Sequence, residues 1–319
     1  MYSNFYRCYV IILVACLFTV VQACSKKSNN TAVIPDTTDT IVKPPIVVVP
    51  KYKSTLTKDI AEQTTLFKTF QSDTLIQIAP GLSETVITYI NTVDKPMKVF
   101  ILEVNLNNVN LRIKAGTPNN RSAFSTQTVS EIARTQDTIG SRVLAAVNAD
   151  FFSFISGIPY PQSLLYKNGI PIKADYCDLC TGIAIDDKNK ASIISKDRYI
   201  DPARIREAVG GYHWLAKYSQ KMPNGDLSIE PRTAVGVTTN NVVYIILADG
   251  RQATYSNGMS FSQLSDMFLA LDVKDAINLD GGGSTTLVVK EGTGWAVKNK
   301  PSGGSQRAVS DALTIVSVN

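Results

Sequence analysis

The segment 276-AINLDGGGSTTLVV-289 places a carboxylate and three consecutive glycines between two apolar runs. Asp280 ends the first run, and Gly281, Gly282 and Gly283 follow it directly. Glycines bring bare backbone N–H groups close to a ligand and allow positive φ values, which suits an anionic group or a sugar held against the main chain. A tight glycine-rich hairpin with a turn aspartate explains the same pattern without a ligand. The segment alone leaves both interpretations open.

Two familiar glycine loops are excluded by the residues that follow. The phosphate loop of nucleotide hydrolases requires a Lys-Ser or Lys-Thr pair after its last glycine, whereas Ser284 follows Gly283 directly. A dinucleotide-binding loop requires its glycines at the start of a helix, whereas residues 285–289 are β-branched and apolar. The segment is therefore a different kind of loop.

Further polar side chains recur at the ends of predicted strands. They are Asn148, Asp150, Arg232, Asp249, Arg251 and Arg307. Each alone is explained by a turn or by a solvated surface. Their joint occurrence at strand ends favours a functional site.

The elements that must position these residues are mostly strands. Alternating or continuous apolar runs rich in β-branched residues predict strands over 74–78, 84–90, 98–106, 109–114, 143–147, 233–237, 242–248, 276–279, 285–289 and 312–318. Capping boxes predict two helices, one beginning at Thr128 with Glu131 and one at Ser260 with Gln263. The pairs Asn168-Gly169 and Asn224-Gly225 indicate hairpin turns. We expect an α+β fold with a mixed, largely antiparallel β-sheet core, a few packed helices and a single catalytic domain.

Residues 1–24 have the features of a signal peptide, with Arg7 ahead of an almost continuously apolar run. A small residue precedes Cys24, and the segment resembles the lipobox of bacterial lipoproteins, which implies that Cys24 becomes the lipidated first residue. Cys16 ends a rival lipobox that leaves a shorter apolar region before it. An uncleaved membrane anchor is the other alternative, although the run falls short of the roughly 20 apolar residues that a span needs.

The rest of the chain divides into a linker and a domain. Residues 25–50 are rich in Ser, Thr, Asn and Pro without periodicity, which predicts an extended tether, and residues 51–319 form the predicted domain. The predicted location is the bacterial cell envelope, periplasmic or surface-exposed, with membrane contact through the lipid anchor at Cys24. The net charge of +5 includes no long basic cluster, so we expect no nucleic-acid partner.

Two of the five cysteines lie outside the targeting segment, at Cys177 and Cys180. In an oxidising compartment this spacing predicts a small disulfide-closed loop. A zinc site would need two further Cys or His ligands, and the chain has 1 histidine. A redox motif is disfavoured because no thioredoxin-like strand and helix lie nearby.

Six segments resemble the phosphodiester glycosidase domain family in order and rough spacing, over about residues 75–318. They are VNADFF (147–152), GGYHWLAKYSQ (210–220), PRTAVGVT (231–238), ADGRQ (248–252), AINLDGGGSTTL (276–287) and KPSGGSQRAVSDAL (300–313). The resemblance implies hydrolysis of the bond between a sugar's anomeric carbon and a phosphodiester, with release of free sugar and a phosphomonoester. The implied partner is a glycan or sugar-phosphate substrate.

The resemblance matches Asn148, Asp150, Arg232 and Asp280 to family motifs, and the chemistry that it implies suits further residues. The catalytic set is Asp280, Asp150 and Arg232, and the substrate-binding set is Asn148, Asp249, Gly281, Gly282, Gly283, Ser284 and Arg307. A carboxylate near the anomeric carbon stabilises the oxocarbenium-like transition state, while arginines and backbone N–H groups bind the phosphate. Ala149 replaces a glycine that is common in the family, so the backbone there is less permissive.

Several alternatives remain beside this reading. One is an exo-glycosidase that acts on ordinary glycosides, and another is a non-catalytic surface lipoprotein that binds glycans. No cofactor is predicted and no metal is assigned, although Asp150, Asp249 and Asp280 are oxygen ligands of the kind that Ca²⁺ prefers. His213 is either an acid or base or a packed or surface imidazole beside Trp214.

Overall fold

Twenty strands and three α-helices lie within residues 51–175, 177–198 and 200–318, the parts that the computed structural model describes. The helices are α1 (Thr55–Gln63), α2 (Val129–Gln136) and α3 (Phe261–Ala270). Short 3₁₀ turns lie at Pro118–Asn120, Pro202–Arg204 and Gly282–Ser284. Within these ranges no helix has the length and apolar character that crossing a membrane requires. The predicted signal peptide, lipidated cysteine and linker lie outside the described residues.

Eight strands form the large sheet. They are β1 (Thr69–Ala79), β2 (Leu82–Ile90), β3 (Pro96–Asn105), β13 (Trp214–Lys217), β14 (Gln220–Lys221), β15 (Arg232–Thr238), β16 (Val242–Ala248) and β17 (Val273–Asn278). Their order across the sheet is β1-β2-β3-β16-β15-β17-β13-β14.

Two five-stranded sheets and a hairpin complete the β structure. The second sheet, in the order β11-β10-β12-β8-β9, contains β8 (Leu165–Lys167), β9 (Ile170–Lys173), β10 (Thr181–Asp186), β11 (Ala191–Ser195) and β12 (Ile205–Gly211). The third sheet, in the order β19-β18-β5-β20-β4, contains β4 (Leu111–Gly116), β5 (Arg142–Asn148), β18 (Leu287–Glu291), β19 (Gly294–Val297) and β20 (Ala312–Ser317). The hairpin pairs β6 (Phe152–Ile155) with β7 (Ile158–Pro161).

Every ladder between these described strands is antiparallel. The predicted α+β class with largely antiparallel sheets is therefore confirmed, and the sheets hold no parallel pair that a mixed sheet would contain. The strand β16 coincides with its predicted range of 242–248.

The main core lies between the large sheet and the two smaller sheets. Successive side chains of a strand point to opposite faces, so Val243, Ile245 and Leu247 enter this core while Ile246 and Ala248 pack on the other face beside α3. Burial on both faces explains why β16 is continuously apolar. The same alternation directs Thr233 of β15 towards the main core and Arg232 towards α3.

The two predicted helices are confirmed together with their capping boxes. The Thr128 side chain accepts from the Glu131 N–H in α2, and the Ser260 side chain accepts from the Gln263 N–H in α3. The first helix, α1, was not predicted, because it lacks the capping box that α2 and α3 have: its N-cap residue Ser54 makes no side-chain capping bond.

One hairpin signal is confirmed and the other is wrong. Asn168 and Gly169 both have positive φ, 51° and 82°, between β8 and β9. The turn between β13 and β14 is formed by Tyr218 and Ser219, with φ of 54° and 59°, instead of by Asn224-Gly225. Tertiary contacts decide this, because the Ser219 N–H donates to the Lys274 carbonyl at 2.7 Å.

Candidate active site

The ends of strands from two sheets meet at one place. The third sheet contributes the carboxyl end of β5 and the starts of β18 and β20, and the large sheet contributes the carboxyl end of β17 and the start of β15. The Asp280 N–H donates to the Ala149 carbonyl at 2.8 Å, and Thr233 Oγ1 donates to Asn148 Oδ1 at 2.8 Å. These two bonds join the sheets, and the predicted residues Asn148, Asp150 and Asp280 therefore lie together.

Asn148 connects three segments of this region. Its side chain is fully buried, its Oδ1 also accepts from the Thr286 N–H at 3.1 Å, and its Nδ2 donates to the Asp280 carbonyl. Because the amide oxygen already holds two protein donors, the structure gives Asn148 a positioning role for the glycine turn.

The turn after Asp280 is compact. Gly282 has a φ of 57°, and a Cβ on Gly281 would lie 2.7 Å from the Pro231 carbonyl oxygen, so both positions require glycine. The Gly282 N–H donates to that Pro231 oxygen at 2.8 Å, and the Gly281 N–H bonds the Asp280 carboxylate. Two of the three glycine N–H groups that were predicted for substrate therefore already have acceptors within the protein.

The Asp280 carboxyl group is partly exposed and is held by its neighbours. Burial raises its pKa, while the Ser284 hydroxyl, the Gly281 N–H and the Arg307 charge each lower it. Ser284 is fully buried, and its hydroxyl oxygen also accepts from Arg307 Nη1 at 3.4 Å. Asp280, Ser284 and Arg307 thus form one connected group.

Asp150 and Asp311 form a second pair of carboxyl groups, both buried. Asp311 Oδ1 accepts from the Asp150 N–H at 2.7 Å, and Asp150 Oδ2 accepts from the Ser163 N–H at 2.7 Å. Burial and the nearby Asp311 raise the pKa of Asp150 well above its ordinary value. Burial raises the pKa of Asp311 to about 6, and the charge of Asp280 adds to this effect. The three aspartates therefore interact electrostatically.

Two guanidinium groups lie against the glycine turn. Arg307 covers Gly283 so closely that a Cβ there would overlap it, and a Cβ on Gly282 would lie 3.3 Å from Arg251 Nη2. Arg251 is held by Glu230, whose carboxylate accepts from its Nε. Positive charge is thus concentrated beside Asp280, where an anionic group can bind.

Arg232 lies on the α3 side of the large sheet. Its Nε donates to the Met259 carbonyl at 3.0 Å, its Nη2 donates to Ser228 Oγ at 2.8 Å, and its guanidinium stacks on Phe261 at 4.0 Å. The structure therefore does not bring Arg232 into the Arg251 and Arg307 pair, and its catalytic role stays a prediction.

Asn278 of β17 is buried on this same face. Neither its side-chain oxygen nor its side-chain nitrogen has a hydrogen-bond partner among the described residues. Buried polar groups in native proteins almost always have partners. Asn278 is therefore a further candidate for ligand contact that the sequence did not single out.

Asp249 is fully engaged by the protein. Its carboxylate accepts from Asn299 Nδ2 at 2.9 Å and from the Lys300 N–H at 2.9 Å. Asn299 in turn donates to the Thr285 carbonyl at 3.0 Å. Asp249 therefore fixes the loop behind the glycine turn, and its predicted sugar contact stays a prediction.

His213 lies between two aromatic rings, 4.4 Å from Tyr212 and 5.4 Å from Phe261 between centroids. Burial lowers its pKa. This packing agrees with the packed-imidazole alternative. The predicted disulfide between Cys177 and Cys180 is confirmed.

Over the described parts of the chain, no three His, Cys, Asp or Glu side chains are grouped in a way that would hold a metal ion. Asp150, Asp249 and Asp280 are thus not grouped in this way, and calcium binding stays unassigned. The cofactor-free reaction stays a prediction.

A comparison with models of protein families shows the family to which this chain belongs. The phosphodiester glycosidase model matches residues 141–316, which is more than half of the chain. This chain belongs to the phosphodiester glycosidase family. The match contains every segment of the glycine turn and of the three-aspartate group described above.

Two curated proteins are similar to this chain over part of their length. Human N-acetylglucosamine-1-phosphodiester alpha-N-acetylglucosaminidase is 26% identical over 196 residues, covering 56% of this chain and 37% of that protein. The SPbeta prophage-derived uncharacterized protein YomE of Bacillus subtilis is 37% identical over 108 residues, covering 32% of this chain and 16% of that protein. The chain thus spans well under half the length of these curated relatives.

Solved structures share the fold. The catalytic domain of zebrafish N-acetylglucosamine-1-phosphodiester alpha-N-acetylglucosaminidase, auto-inhibited by its pro-peptide, has a TM-score of 0.58 and 20% identity, covering 77% of this chain and 88% of that one. A hypothetical protein from Synechocystis has a TM-score of 0.61 and 14% identity, covering 77% of this chain and 64% of that one.

Three residues of the site received no role from the sequence, namely Asn278, Asp311 and Arg251, although Arg251 is among the polar residues at predicted strand ends. Asp311 lies in the quoted SDAL segment directly before β20, which is a strand-end position like those of Asp150 and Asp280. Arg251 lies in the quoted ADGRQ segment after β16. The signal for both was present, but only the fold reveals which strand ends share an edge.

Proposed function

We propose that this phosphodiester glycosidase hydrolyses the bond between the anomeric carbon of a sugar and the oxygen of a phosphodiester, releasing free sugar and a phosphomonoester. The family membership supports a hydrolase of this class. The observation that carries the proposal is the connected group of Asp280, Ser284 and Arg307, which holds a partly exposed carboxylate beside a guanidinium.

The reaction assigns a separate task to each charge. The C1–O bond breaks and its electron pair passes to the phosphate oxygen, where Arg307 and Arg251 stabilise the charge that develops. Asp280 stabilises the positive charge that develops at the anomeric carbon. Water supplies the oxygen that bonds to C1, one of its protons stays in the new hydroxyl group, and the other is released.

The buried pair supports the ionised form of Asp280. Asp150 and Asp311 have raised pKa values because both are buried close to another carboxyl group. Three groups around Asp280 lower its pKa and thereby favour its carboxylate form. They are the Ser284 hydroxyl, the Gly281 N–H and the Arg307 charge. The buried pair therefore favours binding of a proton, while the groups around Asp280 offset part of the rise that burial causes in its pKa, which favours negative charge where substrate can reach it.

The proposed substrate is a glycan or sugar-phosphate outside the cytoplasm. We propose that Cys24 carries a lipid anchor that places the enzyme in the bacterial cell envelope. The disulfide between Cys177 and Cys180 supports an oxidising compartment.

The test is release of free sugar from a panel of α-linked sugar-1-phosphodiesters by the wild-type protein and by Asp280→Asn. We expect turnover by the wild type and a fall in kcat of about a hundredfold or more in the variant, as for the loss of a group that stabilises transition-state charge. Asp272→Asn is the matched control, because it makes the same substitution at an exposed site before β17.

The other outcomes distinguish the alternatives. Turnover of aryl glycosides with no requirement for phosphate would assign the site to an exo-glycosidase. Glycan binding without turnover of any substrate in the panel would favour a binding lipoprotein. Equal activity of Asp280→Asn and the wild type would remove Asp280 from the chemistry.

A further inference from the structure

A cleft of about 630 Å³ opens beside the Asp150 side of the candidate site. It lies between the β6–β7 hairpin, the loop around Phe124 and strand β9, and its lining includes Phe124, Tyr160, Gln162, Ile172, Lys173 and Asp175. No residue of the cleft belongs to the catalytic or substrate-binding sets assigned above.

The lining of the cleft adjoins the backbone segment that holds Asp150. The Gln162 N–H donates to the Phe151 carbonyl at 2.8 Å, and the next residue, Ser163, donates its N–H to Asp150 Oδ2 at 2.7 Å. Lys173 Nζ also lies 3.5 Å from the Gln162 carbonyl. A ligand in the cleft would therefore lie close to the segment that holds Asp150.

Two aromatic rings form one wall. Phe124 and Tyr160 have ring centroids 4.7 Å apart with an interplanar angle of 52°, and both side chains are half-buried. Their mutual packing fixes the rings before any ligand arrives, which lowers the entropy cost of binding. Rigid aromatic faces suit the apolar C–H face of a sugar ring.

The polar groups of the cleft suit a neutral ligand. Lys173 Nζ is paired with Asp175 Oδ2 at 2.7 Å, so neither charge requires a counter-ion from the ligand. Gln162 is exposed and presents an amide, which both donates and accepts hydrogen bonds. Hydroxyl groups of a saccharide match this combination of amide, carboxylate and ammonium.

We propose that this cleft, bounded by Phe124, Tyr160, Gln162 and Lys173, binds a second, neutral saccharide unit attached to the sugar that is cleaved. The effect on turnover rests on the proposed function. The binding of a saccharide rests on the cleft alone. The enzyme then prefers substrates whose sugar part is longer than one residue.

The kinetic test compares two substrates, a disaccharide-1-(methyl phosphodiester) and the corresponding monosaccharide compound. We expect Tyr160→Ala and Gln162→Ala to reduce kcat/KM for the disaccharide compound about three- to tenfold, as for loss of one stacking or hydrogen-bonding contact, with little change for the monosaccharide compound. Phe154→Ala is the matched control, because Phe154 lies on the same hairpin, is 65% exposed and does not line the cleft. Gln162 is exposed, so its variant keeps the test valid if Tyr160→Ala does not fold.

A binding test separates this proposal from the proposed function. Saturation-transfer NMR with maltose, cellobiose, mannobiose and N,N′-diacetylchitobiose measures contact without turnover, and we expect at least one signal that Tyr160→Ala and Gln162→Ala abolish. That result together with no hydrolysis of either phosphodiester would support saccharide binding in the cleft while the proposed function failed.

Equal kinetic losses for both substrates, or no signal from any of the four disaccharides, would overturn the proposal. A concentration-dependent dimer that Tyr160→Ala disrupts, without saccharide signals, would assign the cleft to a second copy of the chain and also overturn it.

Discussion

Asp311 Oδ1 accepts a 2.7 Å hydrogen bond from the main-chain N–H of Asp150, so the Asp311 carboxyl group is positioned by the chain segment that carries Asp150. This bond connects the end of β5 to the start of β20. It also keeps two acidic groups in a region where burial opposes ionisation of both. The protonation of the pair therefore affects both stability and the charge around Asp280.

Stability should fall as pH rises through the range in which the buried pair ionises. Burial raises the pKa of Asp311 from the ordinary 3.8 to about 6, so the folded state binds more protons than the unfolded state between these values. The free energy of unfolding therefore decreases with rising pH over this range. Between about pH 4 and 7, we expect the free energy of unfolding to fall less in Asp311→Asn than in the wild type, by on the order of 2 kcal/mol. Urea unfolding measures this difference.

Ser310→Ala provides the matched comparison for this prediction. The Ser310 hydroxyl donates to Asp311 Oδ2 at 3.0 Å and thereby favours the ionised form. Loss of this hydroxyl in Ser310→Ala should therefore extend the decrease in the free energy of unfolding to higher pH. Asp311→Asn should instead make that decrease smaller. Parallel pH profiles for the wild type and Asp311→Asn would contradict the assignment of the proton to this pair.

A methyl group at Gly210 should disturb Asp150 directly. A Cβ there would overlap the Asp150 carboxylate and would lie 2.5 Å from the Ser163 Cβ. Overpacking of this kind costs about 1–3 kcal/mol. We therefore expect Gly210→Ala to lower the free energy of unfolding by that amount and to reduce kcat, because the carboxyl pair must shift.

Gly225→Ala is the control for Gly210→Ala. Nothing lies within 4 Å of a Cβ at Gly225, and its φ is outside the positive range. We expect unchanged activity and equal or slightly higher stability, because alanine restricts the unfolded chain. Wild-type activity and stability for Gly210→Ala would show that Asp150 tolerates displacement.

Local patterns in the sequence predicted the elements of the candidate site well. The capping boxes at Thr128 and Ser260 form as expected, and the apolar runs place β15, β16 and β17 close to their predicted ranges. These features depend on contacts within a few residues or on a simple period of two. They are therefore readable without knowledge of the fold.

Side-chain direction and partners could not be predicted in the same way. Arg232 begins β15, but strand alternation directs it to Phe261 and α3 instead of to Arg307. Asp249 was predicted to contact sugar, yet Asn299, which is 50 residues away in sequence, binds its carboxylate. Asp311 was not assigned because its position beside Asp150 depends on the pairing of β5 with β20. Strand alternation decides the first case, and long-range contacts decide the other two.

Arg307 should matter for phosphodiester substrates and much less for other glycosides. Its guanidinium lies against Gly283 and contacts Ser284, which holds Asp280. We expect Arg307→Gln to reduce kcat/KM for a sugar-1-phosphodiester by about 10²- to 10³-fold, as for loss of a donor to developing charge. Arg251→Gln should have a smaller effect, because the Arg251 charge is partly neutralised by Glu230.

The control for Arg307→Gln is an aryl glycoside with the same sugar, which lacks the phosphate. Any activity on it should be nearly equal in the wild type and the variant. A similar loss on both substrates would mean that Arg307 acts by supporting Asp280 and not by binding phosphate. Arg121→Gln, at an exposed arginine after the 3₁₀ turn Pro118–Asn120, should leave both activities unchanged.

Asn148 should be the residue whose loss affects stability and activity together. Asn148→Ala removes the bonds to Thr233 Oγ1, the Thr286 N–H and the Asp280 carbonyl, all in a fully buried region. We expect a loss of about 2–4 kcal/mol in the free energy of unfolding, because buried partners are left unsatisfied. Asn107→Ala is the control, since Asn107 makes an exposed turn contact to the Asn240 carbonyl and should cost less than about 1 kcal/mol. If Asn148→Ala retained full stability but lost activity, Asn148 would contact substrate directly, and its predicted binding role would replace the positioning role.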